Sequence, residues 1–78
     1  MNLIIYNRSE SNLILVIEPI ANAYEIQPGS KVAVEGSFIA SDGVGEIEVN
    51  SGNSLSLYLE PGASVLENGE PPKPALGW

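Results

Sequence analysis

The longest unbroken apolar run in the chain, Leu13 to Ile17, stops abruptly at Glu18-Pro19. In an extended strand its odd-numbered residues would face one side, and Ile14 and Val16 would face the other. A strand that is apolar on both faces lies either between two layers or at an interface. Proline cannot donate to a strand ladder, so the strand should end there. The run therefore predicts a core strand whose second face needs another sheet layer, the C-terminal tail or another subunit to cover it.

Elsewhere the apolar residues alternate with polar ones, and glycine or proline interrupts the pattern at intervals of roughly eight to twelve residues. No apolar stripe with helical spacing is long enough to predict a helix. These features predict an all-β fold, a small antiparallel sandwich or flattened barrel of about six to seven short strands. We expect strands over residues 3–6, 13–18, 23–26, 31–35, 45–50, 54–60 and 63–67.

Turn signals separate these strands. The polar segment 7–12 is of the type that closes a hairpin between the first two strands. Two Pro-Gly pairs fit type II turns, in which glycine supplies the positive φ. Gly36 marks a bulge or bend. The hairpin signals are Asp42-Gly43, residues 51–53 and Asn68-Gly69, the last of them compatible with type I′.

A weaker copy of the apolar run recurs 42 positions later, with Leu55, Leu57 and Leu59 followed by Glu60-Pro61. Two strands of one small domain could converge on this pattern, or a hairpin could have been duplicated to give pseudo-two-fold symmetry. Ile14 and Val16 correspond to Ser56 and Tyr58, so the second face is apolar only in the first copy.

The 78 residues suffice for one domain, which we place at 1–69, followed by a proline-rich tail at 70–78. Three prolines within four residues favour an extended tail without ladder hydrogen bonds. The tail would be either a loose terminus or a segment lying across an apolar face, which Trp78 would then contact. A chain of this size has a marginal core, and it contains no cysteine or histidine, so a partner subunit is the remaining reinforcement.

The missing residue types also bear on chemistry. Without histidine and cysteine the commonest acids, bases, nucleophiles and metal ligands are gone, so we expect no enzyme and no cofactor. A net charge of −7 disfavours nucleic acid and anionic membranes. The N-terminus has no basic region ahead of its apolar residues, and no apolar run could span a bilayer. We expect a cytoplasmic protein.

Carboxylates and tyrosines are the remaining candidates for binding. Glu46 and Glu48 would share an outward face with Glu35, as a solvated acidic surface, as a site for a hard cation or as a carboxylate pair for glycosidase chemistry. Glu18 and Glu60 each precede a proline, where they could accept hydrogen bonds from turn amides. Tyr6, Tyr24 and Tyr58 could form an aromatic surface for a carbohydrate or peptide, or Tyr6 and Tyr58 could instead lie at the rim of the core.

Residues 15–20 (Leu-Val-Ile-Glu-Pro-Ile) and 24–32 (Tyr-Glu-Ile-Gln-Pro-Gly-Ser-Lys-Val) resemble a group of small uncharacterised bacterial proteins. Their pattern is an apolar strand, Glu-Pro-Trp, a short gap and Tyr-x-Leu-x-Pro-Gly. Here Ile20 stands where tryptophan is common, and the match covers about a quarter of the chain. The resemblance implies a small all-β fold and no known activity.

The sequence thus predicts a non-catalytic interaction or structural module that self-associates as a homodimer or binds another protein. The alternative is a small ligand-binding domain for a carbohydrate, peptide or cation. The candidate interaction residues are Ile14, Val16, Tyr24, Tyr58 and Trp78. The expected core consists of Leu3, Ile5, Leu13, Leu15, Ile17, Ile26, Val32, Val34, Ile47, Val49, Leu55, Leu57 and Leu59.

Overall fold

A computed structural model describes residues 2–40 and 42–76 and contains only strands and turns within these ranges. Two sheets form, one of three strands in the order β1-β4-β7 and one of five in the order β5-β6-β2-β3-β8. The strands are β1 Asn2–Tyr6, β2 Leu13–Glu18, β3 Asn22–Ile26, β4 Lys31–Glu35, β5 Ile47–Asn50, β6 Ser54–Tyr58, β7 Ser64–Leu66 and β8 Lys73–Pro74. The predicted all-β class is confirmed, and the tail adds an eighth strand.

The core lies between the inner faces of the two sheets. From the three-stranded sheet, alternate residues of β4 and β7 point inward, and they are Val32, Val34 and Val65. The five-stranded sheet and the residue after β6 contribute Leu15, Ile17, Ile26, Leu57 and Leu59. Burying such a side chain fully contributes about 1.5–3 kcal/mol, so this cluster is the main source of stability.

Most of the expected core residues lie in this cluster or pack against it, but Ile47 and Val49 do not. The prediction that these two residues of β5 are buried is wrong, because 50% of Ile47 and 84% of Val49 remain exposed. The two sheets differ in width, because one has three strands and the other has five. Neighbouring strands lie about 4.8 Å apart in any sheet, so the three-stranded sheet can cover only about three strands of the five-stranded sheet. The edge strand β5 therefore extends beyond its cover.

The apolar run and its weaker copy lie side by side as the parallel pair β2–β6. Leu15 is opposite Leu55 and Ile17 is opposite Leu57, an offset of 40 positions rather than the 42 of the sequence match. The expectation of an antiparallel fold is wrong for this pair. Parallel neighbours need a long connection between them, and β3, β4 and β5 provide it between β2 and β6. The strand itself ends at Glu18 before Pro19, as predicted.

The segment 7–12 does not close a hairpin, because β1 and β2 belong to different sheets. It crosses between them and is held by Asn7, which is buried. The Asn7 amide nitrogen donates to the carbonyls of Ser11 and Ile26, at 2.8 and 2.9 Å, and its Oδ1 accepts from the Ser9 backbone at 3.0 Å. Asn7, in a segment whose sequence is typical of an exposed loop, is therefore buried and hydrogen-bonded between the two sheets.

The turn chemistry follows the sequence. Gly29 has a φ of 82°, and the Ser30 amide donates to the Gln27 carbonyl, as a type II turn requires. Asn68 and Gly69 both have positive φ, and Glu67 and Glu70 exchange backbone hydrogen bonds across this two-residue hairpin, the type I′ pattern.

The chain also bends at Gly36, as the sequence predicts. This glycine has a φ of 155°, and a side-chain carbon there would lie 2.8 Å from the Cβ of Ala63. The close approach of these two backbones requires the absence of a side chain.

The proline-rich tail joins the five-stranded sheet. Lys73 lies opposite Glu25 and Pro74 opposite Tyr24, and the Ala75 amide donates to the Ala23 carbonyl at 3.0 Å. Although the prolines favour an extended chain without ladder bonds, two residues form an edge strand, where a missing amide donor is tolerated.

Candidate interaction surfaces

The predicted interaction residues do not form one site. Ile14 and Val16 of β2 lie on the outer face of the five-stranded sheet, and Tyr58 shares this face because it is opposite Glu18. Tyr24 lies opposite Leu15 on the inner face, where it packs against the core. The sheet therefore separates the two tyrosines. Trp78 lies outside the described residues.

The outer side of β2 is largely covered by the chain itself. Val16 is only 2% exposed, and it lies between the short side chains of Ser56 and Ala23. Ile14 is half-buried. This burial leaves Ile14 as the more accessible of the two apolar residues on the outer face of β2.

Polar contacts tie β5 to β6 on this outer face. The Tyr58 hydroxyl donates to a carboxylate oxygen of Glu48 at 2.9 Å, and the Asn50 amide donates to the Ser56 hydroxyl at 3.0 Å. The hydrogen bond to Glu48 and partial desolvation raise the pKa of Tyr58 above 10.0, with smaller contributions from the charges of Glu48, Glu18 and Glu46. Ionising the phenol would place a new negative charge beside existing ones.

The acidic residues of this face do not assemble into a cation site. Among residues 2–40 and 42–76, no group of three carboxylates has the geometry to hold a metal ion. Glu48 instead accepts from Tyr58, while Glu35, expected beside it, lies on β4 of the other sheet. Glu25, on β3, pairs with Lys73 at 3.3 Å and accepts a hydrogen bond from Asn12, which fixes β8 to the sheet.

Within the strands of the five-stranded sheet, the most exposed large apolar side chains are in β5. Ile47 and Val49 are exposed on the core-facing side of β5, and Val44, three residues before the strand, is 69% exposed. Glu48, on the outer face, is better covered than either apolar neighbour. This reverses the usual distribution, in which charged residues are accessible and large apolar ones are not. We call Val44, Ile47 and Val49 the β5 patch.

The patch adjoins a free backbone edge. β5 pairs with β6 on one side, and no described residue pairs with its other side. Natural edge strands are usually protected by lysine, proline, bulges or covering loops. β5 contains no lysine or proline, and the three residues of the patch are all aliphatic. Sequence alternation identified the side on which Ile47 and Val49 lie, but it could not show that the opposite sheet stops short of them.

No family model, curated protein or solved structure matches this chain. The resemblance to small bacterial proteins therefore stays a prediction from the sequence. Within the part of the chain that the structure describes, no helix has the length and apolar character needed to cross a bilayer.

Proposed function

We propose that this protein is a non-catalytic, cytoplasmic interaction module that self-associates through the free edge of β5. The observation that carries the proposal is the 84% exposure of Val49 on the core-facing side of an edge strand. Exposed aliphatic residues beside unpaired backbone donors and acceptors form a surface that another strand can complete.

A second copy of the chain is the simplest partner, because an antiparallel strand edge is complementary to itself. A two-fold axis perpendicular to the sheet would pair β5 with β5 of the second copy and keep the inner faces on the same side. Ile47 and Val49 of both copies would then lie in one continuous apolar row. The pairing would extend the five-stranded sheet through both subunits and would reinforce a domain whose core is small.

Charge opposes this association. Each copy carries a net charge of −7, and Glu46 and Glu48 lie at the edge itself. We therefore expect a weak dimer at low salt that becomes tighter as added salt screens the repulsion. A dimer held chiefly by ion pairs between the subunits would show the opposite salt dependence.

The test compares Val49→Lys with Ile20→Lys by sedimentation velocity over micromolar to millimolar concentrations. Both substitutions add one positive charge at an exposed aliphatic residue, but Ile20 lies in the turn between β2 and β3, away from β5 in the sheet order. We expect the wild type and Ile20→Lys to dimerise reversibly and Val49→Lys to remain monomeric. A wild type that stays monomeric throughout this range, or a dimer unaffected by Val49→Lys, would contradict the proposal.

A further inference from the structure

The outer face of the three-stranded sheet carries a shallow groove, whose origin is a small residue at its centre. Ile4 of β1, Ala33 of β4 and Leu66 of β7 form one row across the three strands. Side chains in such a row stand side by side on one face. Because Ala33 is short, Ile4 and Leu66 become the walls of a trough and Ala33 becomes its floor.

The groove has a volume of about 270 Å³ and a largely apolar lining. Its boundary also includes Lys31, which precedes Ala33 on the same face of β4, and Asn68 and Gly69 of the final hairpin. Ile4 remains 59% exposed, so this surface is accessible in the single chain. The volume is slightly below the range of roughly 300–1,000 Å³ that is usual for small-molecule sites, which restricts the ligand to a small one.

One end of this groove is the most basic region of an acidic protein. Lys31 lies opposite Tyr6, and its ammonium nitrogen is 5.8 Å from the centre of the Tyr6 ring. The guanidinium of Arg8 lies 4.3 Å from the same ring centre. Two of the three basic residues of the chain thus gather around one aromatic ring at the end of an apolar groove.

The polarity along β4 gives the groove a direction. Lys31 lies on one side of Ala33, and Glu35 follows on the other side along the same face. An anionic group would be attracted toward Lys31 and repelled from Glu35. An apolar chain attached to that anion would lie over Ala33, between Ile4 and Leu66.

From this arrangement we propose that the groove over Ala33 binds a small carboxylate with an apolar tail, its carboxylate at Lys31 and its tail between Ile4 and Leu66. The site is on a different sheet from the β5 patch, so it is independent of the proposed self-association. It also differs from the surface around Tyr58, where carboxylates of the protein would repel the same ligand.

Octanoate and octanol are suitable probes because they share an apolar tail and differ in charge. Amide chemical shifts of the ¹⁵N-labelled full chain would be recorded during titration with each. We expect saturable shifts for octanoate at Ile4, Ala33 and Leu66, and weaker binding of octanol at the same residues. Absence of saturable shifts, equal affinity for the two probes, or shifts centred on the β5 patch would overturn the proposal.

Two variants separate the tail site from the charge site. Ala33→Leu should fill the groove and abolish binding of both probes. Lys31→Gln should lower the affinity for octanoate by roughly two- to five-fold, the size expected for an exposed ion pair, and leave octanol unchanged. Lys73→Gln is the matched control, since it removes a cation that pairs with Glu25 on the other sheet.

Unchanged octanoate affinity in Lys31→Gln, or equal losses in Lys31→Gln and Lys73→Gln, would contradict the assigned orientation. Retained binding in a folded Ala33→Leu would contradict the groove itself. If Ala33→Leu does not fold, the comparison of the two lysine variants and the two probes still decides the proposal.

Discussion

β4 and β5 have the same alternation in sequence and opposite environments in the fold. In β4, Val32 and Val34 point inward and are almost completely buried. In β5, Ile47 and Val49 also point to the core side, yet half or more of each is exposed. The two strands differ in position: β4 is the central strand of its sheet and β5 is an edge strand of the wider one.

The difference shows what alternation can and cannot predict. A period of two assigns side chains to the two faces of a strand. Burial also requires a layer opposite that face, and this depends on how many strands each sheet contains and where they end. β4 meets such a layer and β5 extends past it, so identical patterns give a core strand in one place and an exposed apolar edge in the other.

The largest expected effect comes from truncating one valine in each strand. Val34→Ala removes two methyl groups from a fully buried site and leaves a cavity, so we expect a loss of about 2–3 kcal/mol in the free energy of unfolding. Val49→Ala should change it by less than about 0.5 kcal/mol, because the side chain is already in contact with water. Urea denaturation of dilute monomer measures both.

Equal losses for the two variants would show that Val49 is buried in the monomer, and the contrast between β4 and β5 would fail. Repeating the measurement at high protein concentration adds a second comparison. If β5 forms the dimer contact, Val49→Ala should lower the free energy of unfolding more at high protein concentration than at low concentration. The effect of Val34→Ala should be the same at both concentrations.

The sequence was sufficient for the seven strands before the tail, because each is short, alternating and bounded by turn residues with defined φ requirements, but it did not predict β8. Pro28-Gly29 and Asn68-Gly69 give the turns that their sequences predict. Sheet membership could not be predicted in the same way. The loop at Asn7 reads as a hairpin closure, and only the crossing between layers makes it a buried hydrogen-bonding residue.

The candidate surfaces were harder to predict for a related reason. Ile14 and Val16 form an apolar second face in sequence, but the residues that lie beside them depend on the pairing of β2 with β3 and β6. The groove over Ala33 depends on which residues β1 and β7 place next to it. Neither long-range register is encoded in a local pattern.

Amide hydrogen exchange gives a second, smaller contrast between the strands. β4 is paired on both sides, so its amides should exchange only through global unfolding. In dilute protein, the β5 amides that point away from β6 should exchange nearly as fast as those of an unstructured chain. Raising the protein concentration should slow these β5 amides specifically. Equally slow exchange in β4 and β5 of the dilute monomer would contradict the edge position of β5.

The smallest expected effect concerns the polar contacts that hold β5 to β6. The pKa of Tyr58 is raised in the folded protein, so the neutral phenol is favoured and its hydrogen bond to Glu48 stabilises the fold below the ordinary value of 10.0. This contribution is lost as the pH rises through the raised pKa. We expect the urea midpoint of the wild type to fall more than that of Tyr58→Phe as the pH is taken from about 9 to about 11.

Two controls identify Glu48 as the cause. Glu48→Gln keeps a hydrogen-bond acceptor but removes the charge, so the pKa of Tyr58, followed by ultraviolet absorbance, should return toward 10.0. Tyr6→Phe removes a phenol from the three-stranded sheet. It should leave the fall of the urea midpoint between about pH 9 and about pH 11 the same as in the wild type. If Tyr58→Phe and the wild type lose stability in parallel over this pH range, the phenol does not couple β5 to β6. The edge strand would then be held by its backbone ladder and the hydrogen bond from Asn50 to Ser56, whereas β4 is held by its ladders and by burial.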